Sequence, residues 1–168
     1  MDFIKQKIMQ GYRIAHDATN CPDTNYSTKR KLHRAFETDL AELYHDGRNS
    51  GLISKARLKA MLDKKLRGIT ETSKTREATE HPISKKALSE YILSLPKMNY
   101  KQLLDIWDAH CFTVKVTNEE NQRLKDAQQD FQVGIDCWKE MYKAHNIDTM
   151  FRPDFRTVSY AEVDKLLS

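Results

Sequence analysis

The stretch TNEENQRLKDAQQDFQVGIDCWKEMYKAHN, residues 117–146, decides how the rest of the chain is read. Leu124, Ala127, Phe131, Ile135, Trp138, Met141 and Tyr142 recur at three- and four-residue steps and share one arc of a helix, while Lys125, Gln129, Asp136, Lys139 and Lys143 fall outside it. Val133, Cys137 and Ala144 add a smaller stripe on the far side, as expected of a helix touched from two directions. Thr117 and Glu120 stand in capping-box register at its start. The periodicity predicts one helix over about 117–146, roughly 40 Å long at 1.5 Å per residue.

The same period runs through the flanking segments. Ile4, Ile8, Tyr12 and Ala15 mark a first helix, and Leu32, Ala35, Phe36, Leu40 and Leu43 a second that stops at His45-Asp46-Gly47. Ser54 can cap a third, carrying Leu58, Met61, Leu62 and Leu66, with Lys65 intruding on that face and Gly68 close behind; fraying is expected there. Ser84 and Asn99 open two short helices on either side of Pro96, and Ser159 with Glu162 forms a second capping box for a terminal helix. Alternation of period two occurs only in Phe112-Thr113-Val114-Lys115-Val116. The expected class is therefore all-α, an irregular bundle of six or seven helices around the 117–146 spine. Residues 69–83, rich in threonine and glutamate with almost nothing to bury, are expected to link a basic helical region, 1–68, to a C-terminal helical region, 84–168.

Composition removes several classes. The chain has 168 residues, 28 Lys+Arg against 24 Asp+Glu, and only 5 Gly, with no Gly-rich phosphate loop of the Rossmann or Walker type. Three cysteines, Cys21, Cys111 and Cys137, lack paired spacing, and the six histidines form no metal motif, so neither a disulfide framework, a metal site nor a cofactor is expected. No apolar run approaches the roughly 18 residues of a membrane span, and no signal-peptide core is present, which points to a cytoplasmic protein. Asp105, Asp108, His110 and Cys111 cluster on one short helix, but spacing supplies no base positioned on the thiol, and no catalytic residue is assigned.

Asp46-Gly47-Arg48-Asn49-Ser50-Gly51-Leu52-Ile53-Ser54-Lys55-Ala56-Arg57 resembles an EF-hand loop, with Asp46 at loop position one, Ser50 at five, Gly51 at six and Ile53 at eight. The resemblance implies a helix–loop–helix. It does not imply calcium, because Arg48 and Arg57 stand at positions three and twelve, where oxygen donors are required.

Charge is uneven along the chain: residues 1–86 carry 18 Lys+Arg and 11 Asp+Glu, net +7, and residues 87–168 carry 10 and 13, net −3. Lys29, Arg30, Lys31 and Arg34 on the second helix, with Arg48, Lys55, Arg57, Lys59, Lys64 and Arg67 in and around the third, could make a surface for phosphates. The leading expectation is a non-enzymatic regulatory protein that engages nucleic acid or a nucleic-acid-handling complex through this region. A second class is a protein-directed inhibitor or adaptor, of the kind carried by phages and mobile elements, aimed at a host protein. It would use Met150, Phe151, Arg152, Phe155 and Arg156, residue types that anchor interfaces. A third is a helical enzyme with no recognisable motif. Oligomeric state is not legible.

Overall fold

The computed structural model describes residues 2–130 and 138–167, the side chains of 128–130 excepted. Phe131, Val133, Ile135 and Cys137 lie outside the described residues. The chain divides into two compact units, each built from two separate stretches: 1–48 with 83–112, and 49–82 with 113–168.

The first unit is helical. It contains α1 (Phe3–Asn20), α2 (Tyr26–Leu43), α4 (Lys85–Ser94) and α5 (Tyr100–His110), numbered in chain order. Ile8, Tyr12 and Ala15 on α1, Phe36 and Leu40 on α2, Leu88 and Ile92 on α4, and Leu103 and Trp107 on α5 are withdrawn from solvent. Each large side chain so buried contributes about 2 kcal/mol. Buried polar tips find partners: the Tyr12 hydroxyl accepts from the Met98 N–H at 3.0 Å, and His16 Nε2 meets the Leu95 carbonyl at 3.0 Å. Asn25, Ser84 and Asn99 each cap a helix through a side-chain oxygen, and Gln102 answers Asn99 in a full capping box.

The second unit contains a sheet, and the all-α expectation is wrong. Four strands, β1 (Arg48–Ser54), β2 (Glu77–Glu80), β3 (Phe112–Thr117) and β4 (Thr149–Phe151), lie in the order β2-β3-β1-β4. β2 pairs with β3 and β4 with β1, both antiparallel, within a mixed sheet. Alternation in β3 was the visible trace of this sheet. The remaining strands carry no such alternation: β1 opens on Arg48-Asn49-Ser50-Gly51, β4 has only three residues, and β2, Glu77–Glu80, falls inside the stretch expected to be a linker. Against the sheet lie α3 (Lys55–Arg67), α6 (Asn118–Asp130), α7 (Trp138–Ala144) and α8 (Tyr160–Leu167). Ile53, Leu58, Leu62 and Val163 form one buried cluster, covered by Met61, Met150, Phe155, Val158 and Tyr160.

The single spine helix is also corrected. The Arg123 guanidinium donates to the His145 carbonyl at 3.1 Å, whereas the two residues would stand about 33 Å apart along one unbroken helix. Residues 118–130 and 138–144 are therefore two helices, α6 and α7, and Thr117 closes β3. The capping box itself is present: Glu120 Oε2 accepts from the Thr117 N–H and hydroxyl at 2.9 and 3.0 Å, and the Glu120 N–H donates back to Thr117 Oγ1 at 3.2 Å.

The EF-hand-like stretch folds as β1 running into α3. Ser54 caps α3 by accepting from the Arg57 N–H at 3.1 Å. Gly51 sits at φ +76°, and Gly68 at φ +67° closes α3, which runs intact to Arg67 with Lys65 exposed. Among the described residues no helix is long and apolar enough to cross a membrane.

Candidate nucleic-acid interface

The predicted cations divide between the two units, and so does the net charge. The stretches 1–48 and 83–112 carry 12 Lys+Arg and 10 Asp+Glu, net +2, and the other two stretches carry 16 and 14, also net +2. The asymmetry seen along the chain does not survive folding, because each unit draws on both halves of the sequence.

On α3 most cations are already matched. Arg57 is buried; its guanidinium donates to Glu71, to the Thr75 carbonyl at 3.3 Å and to Glu77 at 3.5 Å. Lys64 meets Glu71 at 3.2 Å, Lys55 meets Asp148 at 3.2 Å, and Arg67 is held by Asp63 at 2.7 Å and by Asp164. The bonds from Arg57, joined by Lys64, hold the Glu71 carboxyl below its usual range against the opposing effect of burial. Lys59 is exposed, and Arg48, which opens β1, donates its N–H to the Cys111 carbonyl at 2.9 Å. This helix is tied into its own unit by its charges.

On α2 the arrangement is different. Lys29 is half-buried and donates to the Thr19 carbonyl at 3.0 Å, while Arg30, Lys31 and Arg34 are exposed. Among the described residues no carboxylate stands within 4.0 Å of these three cations. Lys29, Arg30 and Arg34 line a cleft of about 370 Å³ together with Lys86 of α4, His33 and Tyr26. Tyr26, the first residue of α2, is 78% exposed. Four residues apart, Tyr26, Arg30 and Arg34 follow one helical stripe. Tyr26 stands three residues before Lys29 in the sequence, an aromatic ring directly ahead of the basic run.

His33 Nε2 lies 2.6 Å from Thr19 Oγ1, whose own proton goes to the Ala15 carbonyl at 2.7 Å, so Nε2 carries the ring proton. Burial holds the His33 pKa below its ordinary value, with Lys29 acting in the same direction. Glu37 and Glu90 also line the cleft, and partial burial raises the Glu37 carboxyl despite the nearby Lys85 and Arg34.

The remaining candidates are placed as follows. Asp108 accepts from the Tyr44 hydroxyl at 2.5 Å and from His45 Nε2 at 2.8 Å, and the Gly47 N–H donates to His45 Nδ1 at 3.1 Å. That set fastens the end of α2 to α5. Cys111 is buried and its thiol is pushed up to about 12, chiefly by desolvation, which removes it as a nucleophile near neutral pH. Met150 and Phe155 pack on the second unit's core, Phe155 stacked on Tyr160 at 4.3 Å between ring centres. Arg156 is paired with Asp154 at 3.0 Å, Arg152 Nη2 lies 3.8 Å from the Met61 sulfur, and Phe151 is 74% exposed. Among the described residues no group of three or more His, Cys, Asp or Glu could hold a metal ion. Comparison with protein-family models, with curated proteins and with solved structures finds no match to this chain.

Proposed function

We propose that this chain binds single-stranded nucleic acid through the α2–α4 cleft of its helical unit, and works by binding and not by catalysis. The observation that carries this is the exposed Tyr26 ring on one stripe with Arg30 and Arg34, two exposed guanidiniums with no carboxylate in ion-pair reach among the described residues. A base stacks on the Tyr26 ring, while Arg30, Arg34 and Lys86 meet backbone phosphates. Stacking of this kind is worth about 1–3 kcal/mol per base and tolerates any sequence. Glu37 and Glu90 supply acceptors for an exocyclic amino group. A cleft of about 370 Å³ suits one unpaired nucleotide better than a duplex, whose bases present no open face.

Fluorescence anisotropy with labelled single-stranded and duplex oligonucleotides tests this. Single strands should bind more tightly than duplex. Tyr26→Ala should weaken binding by about 5- to 150-fold, the equivalent of one stacked base, while Tyr26→Phe should leave it unchanged because the ring and not the hydroxyl is used. Reversal at Arg30 and Arg34 together should abolish it. Equal affinity of Tyr26→Ala and the parent protein, or no binding at low salt, would remove the proposal.

A further inference from the structure

A second surface of the helical unit has a different chemistry and shares no residue with the Tyr26 cleft. Along α1 and the turn between α4 and α5 runs an open groove of about 950 Å³. Met9, Ile14 and Met98 provide an aliphatic floor, and Lys5, Arg13, Lys97 and Lys101 line the same groove with no carboxylate among its lining residues. Ile14 is 48% exposed, and Phe3, 72% exposed, continues the groove-facing side of α1 at helical spacing. Lys97 is engaged by Asp17 at 2.7 Å and Lys101 by Asp105 at 2.7 Å, but both are exposed pairs that exchange readily for another anion. Among the described residues Lys5 and Arg13 have no carboxylate partner.

We infer that this groove is a docking site for an acidic amphipathic helix of a partner protein. Charge complementarity selects the sign of the partner, and the floor selects its form. Methionine is flexible and polarisable, and it adapts to aliphatic side chains pressed into it. The one aromatic ring in the groove, Tyr100, already has the Lys5 ammonium over it at 5.3 Å from its centre, so a nucleic-acid base stacking there competes with that cation. From Lys5 to Arg13 the wall extends about 12 Å, two helical turns, which matches apolar anchors at i, i+3 or i+4, and i+7. The partner helix therefore places two or three Leu, Ile or Phe side chains on Met9, Ile14 and Met98, and its flanking Asp or Glu side chains against Lys5, Arg13, Lys97 and Lys101.

The test is selection of a displayed library of random 14-residue peptides on the full chain, followed by affinity measurement on the enriched sequences. The expected consensus has apolar residues at helical spacing flanked by acids. Lys5→Glu and Arg13→Glu, both at surface positions of α1, should each weaken the selected peptides at least tenfold and leave oligonucleotide affinity unchanged. Exchange of the peptide acids for lysine should abolish binding. No enrichment, a consensus without acids, affinity indifferent to Lys5→Glu and Arg13→Glu, or displacement of the peptide by a single-stranded oligonucleotide would each overturn the inference. Loss of oligonucleotide binding in Tyr26→Ala with peptide binding intact keeps the two proposals separable.

Discussion

Ser54→Ala tests the node on which the second unit is assembled. Ser54 and Glu120 are 0% and 3% exposed, and the Ser54 hydroxyl donates to Glu120 Oε2 at 2.6 Å while accepting from the Arg57 N–H. The same carboxylate oxygen takes two bonds from Thr117, so one buried charge joins the end of β1, the end of β3 and the start of α6. Removing the hydroxyl deletes the α3 cap, worth about 1 kcal/mol, and a bond to a buried charge, worth about 1.5–3 kcal/mol. The expected loss is about 3 kcal/mol. Ser84→Ala is the control: Ser84 caps α4 through the Ala87 N–H at 3.1 Å and, among the described residues, bonds to no carboxylate, so it should cost only about 1 kcal/mol. Urea unfolding followed by circular dichroism measures both. In a Glu120→Gln background, where the acceptor is neutral, Ser54→Ala should cost roughly 1 kcal/mol less than in the parent. Equal losses for Ser54→Ala and Ser84→Ala, or the same Ser54→Ala loss in both backgrounds, would refute the assignment of Glu120 as the shared acceptor.

Two further outcomes follow from the helical unit. Burial works to raise the Asp108 carboxyl, but the bonds from Tyr44 and His45, helped by Arg48, outweigh it and hold the pKa below the usual value. A depressed carboxylate stabilises the fold above its unfolded pKa of about 3.9 and loses that contribution as pH falls through the folded value. Melting temperature should therefore fall more steeply below about pH 4 in the parent than in Asp108→Asn; parallel acid profiles would count against the clasp. Iodoacetamide at neutral pH, with peptide mapping, should label Cys21, whose thiol is lowered by hydrogen bonds from Thr24 and Asp23, and spare buried Cys111. Native-state labelling of Cys111 as fast as Cys21 would contradict its burial.

What the sequence disclosed and what it withheld separate by the range of the interactions involved. The caps at Ser54, Ser84, Asn99, Thr117 and Ser159 are contacts over three residues, and each is found where local spacing places it. The strands are not local. Leu52 faces Phe151 and Ala78 faces Val116; β2 is four mostly polar residues and β4 only three residues, too short to show alternation. That 118–130 and 138–144 belong to two helices was hidden because two amphipathic helices can continue the same period; the Arg123–His145 bond shows them side by side. At the candidate site, the α2 cations were legible as a run, but the pairing of Arg57 was not, because Glu71 and Glu77 reach it from the threonine-rich stretch expected to be a linker. Tyr26 was legible in principle, one helical turn ahead of Arg30.

The most direct test of the nucleic-acid proposal is the salt dependence of oligonucleotide binding by the parent protein and by Arg30→Ala. With Arg30, Arg34 and Lys86 on phosphates, the logarithm of affinity should fall with the logarithm of salt at a slope of about −2, from roughly −0.7 for each contact on a single strand. Arg30→Ala should reduce that slope by about 0.7. A parent slope near zero, or an unchanged slope in Arg30→Ala, would contradict the account.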